Sequence, residues 1–282
     1  MRRLKFIVAI LVPLTLACCL ACCSAAPADT YQVRELSFER DGATIYGRLF
    51  RPRPMRAGSP LVVISHGFGG ALDGTSEYAR RLAEAGVASY VFDFRGGSSW
   101  SKSDGSILDM SVLTEADDLE AVMDGLLDGG YVAEGNLYLM GESQGGLVSA
   151  LVAARRPDDV AGLVLFYPAL SIPDDARARF SDASAIPGDE VVGLFGVTVG
   201  RRYYEDILGL DPFATIGDYK GPVTIYHGDK DEIVPLAYSQ RAVETYENAE
   251  LHVVSGAGHG FSGNQLDEVC AAAADFVRGA RR

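Results

Sequence analysis

A glycine-flanked serine, four histidines and a cluster of loop carboxylates are the residues of this 282-residue chain whose types and spacing could do chemistry. Ser143 lies in LYLMGESQGG (137–146), where a short apolar run breaks into a turn. A serine hydroxyl is a poor nucleophile until a base takes its proton, and an acid must hold that base in the right tautomer. His259, in the glycine-rich loop GAGHGF (256–261) directly after a predicted strand, is the best base. His252 lies within the strand-like ELHVV and reads as a satisfied sheet residue; His227 ends a strand before a glycine turn and reads as its buttress. For the acid, Asp229, Asp231 and Glu232 all compete in YHGDKDEIVP (226–235). The order Ser, Asp, His along the chain suits a nucleophile carried on a strand-to-helix turn.

Such a reaction also needs donors for a developing oxyanion. The backbone N–H of Gln144, at a helix N-terminus just after the serine, supplies one; Phe68, in the glycine-rich SHGFGG (65–70) where His66 also lies, supplies the second. That loop has neither a Walker lysine nor dinucleotide-binding spacing, so a phosphate-cradling role is disfavoured.

The elements that must position these groups follow from patterning. Residues 137–140 read as a buried strand and 145–154 as a helix, with Ser143 on the turn between them. A turn that sharp forces the serine into a strained backbone conformation, and side chains two residues either side would collide, which accounts for Gly141 and Gly145. Two alternating segments, 33–38 and 44–50, read as antiparallel strands joined by a turn at Asp41-Gly42. The run LVVIS (61–65) has the continuous apolar character of a central parallel strand. Strands at 87–92, 160–167, 223–227 and 250–254 then alternate with helices at 76–84, 111–126, 236–246 and 265–277. This order predicts an α/β fold with a mostly parallel sheet, helices on both faces, and working groups beyond the carboxyl ends of the strands. The interval 168–220 is too long for a simple crossover and carries Phe180, Phe195, Tyr203 and Tyr204; it is expected to form a small lid.

With 48% hydrophobic and 22% charged residues, the chain can bury one large core, and one domain with an insertion is expected. A net charge of -13 and the lack of a basic stripe argue against a nucleic-acid partner. Residues 1–26 read as an export signal: Arg2, Arg3 and Lys5 precede an apolar run that ends in small residues. Cys18, Cys19, Cys22 and Cys23 fall inside it, and TLAC (15–18) and CLAC (19–22) resemble a bacterial lipoprotein box, so secretion and lipid anchoring at the cell surface are both expected outcomes. Cleavage after Ala26 would leave Cys270 alone, excluding an internal disulfide.

Together, HGFGG (66–70), GESQGG (141–146), HGDKDEIVP (227–235) and GAGHGF (256–261) resemble the α/β-hydrolase superfamily, and within it the feruloyl or cinnamoyl esterases and related bacterial carboxylesterases. The resemblance covers residue 33 to the end and implies an eight-stranded sheet. It selects Asp231 as the acid and supports Phe68 and Gln144 as oxyanion donors. The stretch 93–98 resembles the family's Asp-x-x-Gly-x-Gly-x-Ser loop with its second glycine one place early. The implied activity is a serine carboxylester hydrolase needing no metal or organic cofactor, acting on a small-molecule or polysaccharide-linked ester such as a feruloyl or short acyl ester. A peptidase or acylaminoacyl hydrolase, a monoacylglycerol lipase, and an inactive binding protein of the same fold are the competing expectations.

Overall fold

The computed structural model describes residues 30–55 and 58–279. The expected export segment and its four cysteines lie outside the described residues, and Cys270 is free and buried. The described chain opens with β1 (Tyr31–Glu35), passes through a small hairpin of β2 (Phe38–Arg40) and β3 (Ala43–Ile45), and continues as β4 (Gly47–Pro52). Alternation follows: β5 (Leu61–Ser65), α1 (Leu72–Glu84), β6 (Ala88–Phe92), α2 (Val112–Asp128), β7 (Leu137–Glu142), α3 (Ser143–Arg155) and β8 (Val160–Phe166). An insertion then carries α4 (Ile172–Arg179), the hairpin β9 (Glu190–Val192) and β10 (Thr198–Gly200), α5 (Arg201–Leu208) and α6 (Pro212–Thr215). The chain returns as β11 (Val223–Gly228), α7 (Leu236–Thr245), β12 (Ala249–Val254) and α8 (Gly263–Gly279).

Eight strands form one sheet in the order β1-β4-β6-β5-β7-β8-β11-β12. The β1–β4 and β4–β6 pairs are antiparallel and every other pair is parallel, as the patterning predicts. The start of the chain differs from expectation. In place of two continuous strands there are four short ones, and the Asp41-Gly42 turn, with φ of 53° and 74°, closes only the β2–β3 hairpin. The cause is packing: the Phe38 ring fills the space over Gly125 of α2, where an added Cβ would stand 2.2 Å from a ring atom. The hairpin must therefore leave the sheet plane that β1 and β4 occupy.

Two-sided burial explains the continuous apolar runs. In β5, Leu61 and Val63 join the core beneath α2 and α3, while Val62 and Ile64 join the one beneath α1 and α8. Each such fully buried aliphatic side chain contributes roughly 1.5–3 kcal/mol, so the sheet is anchored from both faces. The first turn of α2 is fixed by Ser111, whose hydroxyl accepts the Thr114 N–H while the Thr114 hydroxyl accepts the Ser111 N–H at 2.8 Å. Asp93, after β6, is buried and accepts the Leu72 N–H at 2.6 Å and the Lys102 N–H at 2.8 Å, tying the start of α1 to the loop that follows β6.

Main-chain segments also press together closely at the β7–α3 junction. A Cβ on Gly145 would meet the carbonyl oxygens of Ser65 and His66 at 2.4 Å, and one on Gly141 would meet the Gly145 carbonyl oxygen at 2.1 Å. Both neighbours are main chain and cannot rotate aside. We expect Gly145→Ala to cost about 3 kcal/mol or more through overpacking, read as a large drop in thermal midpoint. Gly74→Ala, at an open helical position, should leave the midpoint unchanged or raise it slightly.

Candidate active site

β7 runs without a break into α3, and the junction residue is Ser143, a non-glycine residue at φ 50°. That conformation, predicted from the glycine flanks, lifts the side chain clear of the sheet edge. The preceding carboxylate, Glu142, accepts hydrogen bonds from the hydroxyls of Tyr78 at 2.8 Å and Tyr167 at 2.7 Å. Burial, reinforced by the Glu142 charge, pushes both phenols up, so they remain donors.

The loops after β12 and β11 bring His259 and Asp231 to this serine. His259 Nε2 lies 2.9 Å from Ser143 Oγ, and His259 Nδ1 lies 2.8 Å from Asp231 Oδ2. The other Asp231 oxygen accepts the N–H groups of Ile233 and Val234, each at 2.9 Å. Burial alone would raise the Asp231 carboxyl. The Val234 amide, His259 and the Ile233 amide outweigh it and hold the group below the ordinary aspartate range. A carboxylate facing Nδ1 makes that nitrogen the protonated one, leaving Nε2 to accept from the serine hydroxyl. Tyr167 packs edge-on against the His259 ring at 4.8 Å.

The competing residues fall elsewhere. Asp229 accepts the Gly256 N–H at 2.6 Å and so shapes the loop that carries His259; Glu232 is exposed. His227 donates from Nε2 to the Val234 carbonyl at 2.9 Å and accepts the Ser239 hydroxyl at Nδ1, buttressing the turn as expected. It also stands 3.2 Å from Asp231 Oδ2, a contact its position in the sequence does not reveal. Burial lowers the His227 pKa and keeps it neutral. His252 sits in edge strand β12, half exposed and stacked on Tyr226, away from the serine.

On the other side of Ser143 lies the loop after β5. A Cβ on Gly67 would stand 3.2 Å from Ser143 Cβ, so the Gly67–Phe68 peptide passes directly beside Ser143. Its carbonyl is held twice, by the Gly70 N–H at 3.0 Å and by His66 Nδ1 at 2.8 Å. His66 Nε2 accepts the Phe94 N–H at 3.2 Å, which fixes the tautomer. Burial lowers its pKa and keeps the ring neutral. Because the carbonyl and N–H of a trans peptide point in opposite directions, clamping the Gly67 carbonyl aims the Phe68 N–H the other way.

The Gln144 side chain is wholly buried. Its Nε2 donates to Glu115 Oε2 at 2.8 Å and its Oε1 accepts the Tyr203 hydroxyl at 2.7 Å. The Tyr203 ring also packs edge-on against Phe68, 5.6 Å between centroids. One tyrosine of the insertion therefore touches both residues expected to supply oxyanion donors. Burial pushes the Glu115 carboxyl up to about 8. Sequence reading noted Tyr203 only as an insertion aromatic and did not single out Glu115, Glu142 or Tyr167; a carboxylate within the apolar stripe of α2 is the signal that would have found Glu115.

Comparison with known proteins agrees with this architecture. The chain superposes on Est1E from Butyrivibrio proteoclasticus, a structure solved with bound ferulic acid, with a TM-score of 0.78 and 30% identity, covering 87% of this chain and 98% of that one. The chain belongs to the α/β-hydrolase superfamily. A family model described as serine aminopeptidase, S33, matches residues 58–192 of this α/β-hydrolase. A 2-hydroxy-6-oxononadienedioate/2-hydroxy-6-oxononatrienedioate hydrolase of Paraburkholderia xenovorans is 25% identical over 72% of this chain and 81% of its own length. Human monoglyceride lipase is 30% identical over 152 residues, 51% of this chain and 46% of its own. The α/β-hydrolase is therefore an enzyme of the esterase and lipase kind.

Two outcomes follow for the buried network. The folded-state pKa of Glu115 exceeds its unfolded value, so the native state binds the extra proton and stability falls as pH rises from about 4.5 to about 8. Glu115→Gln should flatten that part of the profile of thermal midpoint against pH. Tyr203→Phe should lower kcat for an ester about tenfold, as expected for loosening an oxyanion donor, with a smaller effect on KM.

Proposed function

We propose that this α/β-hydrolase is a serine carboxylester hydrolase working through an acyl-enzyme, with Ser143 as nucleophile, His259 as general base and acid, and Asp231 as the acid that orients it. The observation that carries this reading is the unbroken hydrogen-bond chain from Ser143 Oγ through His259 to Asp231, at 2.9 and 2.8 Å. His259 takes the Ser143 proton as Oγ bonds to the ester carbonyl carbon. The N–H groups of Phe68 and Gln144 stabilise the oxyanion. The carbon–alkoxide bond then breaks and the alcohol leaves with the proton that His259 returns. Water repeats the sequence on the acyl-enzyme: His259 deprotonates it, the acid departs, and Ser143 recovers its proton.

For the substrate we favour feruloyl, cinnamoyl or short acyl esters, a reading supported by the likeness to Est1E over nearly its whole length. A monoacylglycerol substrate is the second reading, favoured by the partial match to human monoglyceride lipase. An N-terminal export signal would place the enzyme outside the cell or lipid-anchored at its surface, where polysaccharide-linked esters are encountered.

A fluorophosphonate probe should label the wild-type protein and fail to label Ser143→Ala; labelling that survives the substitution would remove Ser143 as nucleophile. The ratio of kcat/KM for methyl ferulate to that for methyl butyrate is expected to lie well above one. A ratio below one, with activity lost in Ser143→Ala, would keep the mechanism and end the feruloyl assignment.

A further inference from the structure

The chain has one tryptophan, and it stands in solvent: Trp100 is 80% exposed, in the loop after β6. It borders a cavity of about 480 Å³ whose other walls include Gly69, Ser98, Ser99, Ile107 and Val197. Gly69 adjoins Phe68, so the cavity begins at the oxyanion loop; Val197 comes from the hairpin segment of the insertion, which closes the opposite side. The lining combines one flat aromatic face, two aliphatic walls and serine hydroxyls. Ser98 Oγ accepts the backbone N–H of Trp100 at 3.2 Å, which ties the loop that carries the ring and leaves the hydroxyl hydrogen free to donate. Such a surface suits a flat ring that carries oxygen substituents.

Strand order decides which half of an ester reaches it. Along the sheet, the loops after β6, β5, β7, β11 and β12 carry Trp100, Phe68, Ser143, Asp231 and His259 in that order of strands, with β8 between the serine and aspartate strands. The leaving oxygen must face His259 to be protonated, so the alcohol lies toward β11 and β12. The acyl group is then directed the other way, past the oxyanion loop toward β6. We propose that the Trp100 cavity is the acyl-ring subsite, with Trp100 stacking on an oxygen-substituted aryl group of the acid and the Ser98 and Ser99 hydroxyls meeting its oxygens. This rests on the ester-hydrolase reading above and adds to it the residue that selects the acid.

The test uses Trp100 as its own reporter. Intrinsic fluorescence of full-length Ser143→Ala is titrated with methyl dihydroferulate, which is transparent at tryptophan's emission, and in parallel with xylobiose and with phosphatidylcholine vesicles. A saturable change with the ester, and none with the other two, is expected. A response to xylobiose alone would make the cavity a sugar subsite. A response to vesicles alone would make it part of a lipid-facing surface with the exposed Leu194 and Phe195. Either result, or silence toward the ester, overturns the proposal. In the otherwise wild-type enzyme, Trp100→Ala should lower the ratio of kcat/KM for methyl ferulate over methyl butyrate about tenfold, mostly through KM, and Trp100→Phe should restore much of it. An unchanged ratio refutes the assignment. Should wild-type protein turn over no ester at all, the proposed chemistry fails while the fluorescence titration still decides the subsite.

Discussion

Everything in this enzyme hangs on how closely the first turn of α3 presses against the end of β5. Gly145 has no room for a methyl group between itself and the carbonyls of Ser65 and His66. That approach brings together the loops of two neighbouring strands, β5 and β7: the one that presents the Phe68 N–H and the one that presents Ser143. Were the two segments held apart by one side chain, Ser143 would still point out of the sheet, but the Gly67–Phe68 peptide would no longer lie beside it. The strain at Ser143, with φ of 50°, is sustained because strands on both sides of β7 and helices on both sheet faces over-determine its position.

The electrostatics divide along the same line. On the β11 and β12 side there is one buried negative charge, Asp231, compensated by two backbone amides and by His259. On the β5 side the two side chains next to the serine loop are neutral: His66 is held uncharged between the Gly67 carbonyl and the Phe94 amide, and Gln144 is held between a phenol and a carboxyl whose pKa burial raises to about 8. A fixed positive charge near the oxyanion would bind ground-state anions such as the product acid. Neutral donors stabilise the charge where it develops and release the product more readily.

Most of the central sheet, and the candidate residues Ser143 and His259 that the fold brings within hydrogen-bond distance, were legible in the sequence, because each shows in a local pattern. The run LVVIS has the continuous apolar character of a strand buried on both faces, and the glycines around Ser143 report a backbone conformation that few other residues allow. Selecting Asp231 over Asp229 and Glu232 needed the family resemblance, since all three lie in one loop and their different partners are set by tertiary contacts. The first strands were misread because their alternation is satisfied by two separate sheets, and only the packing of Phe38 on α2 decides where the chain breaks. Tyr203, Glu115 and Tyr167 act across 59, 29 and 25 residues of chain on partners in the elbow, and no short-range pattern carries such information.

The anchoring of the insertion through Tyr203 has a consequence for how such enzymes diversify. α5 is bolted to the catalytic floor by a hydrogen bond to Gln144 and a ring contact to Phe68, whereas the β9–β10 hairpin that precedes it reaches outward to an exposed tip at Leu194 and Phe195. The insertion is thus a bracket with a fixed foot and a free arm. Changes in the length or surface of the arm can be accommodated without moving the Tyr203 contacts to Gln144 and Phe68. One insertion thus combines an anchored helix and an exposed hairpin tip within some fifty residues of chain.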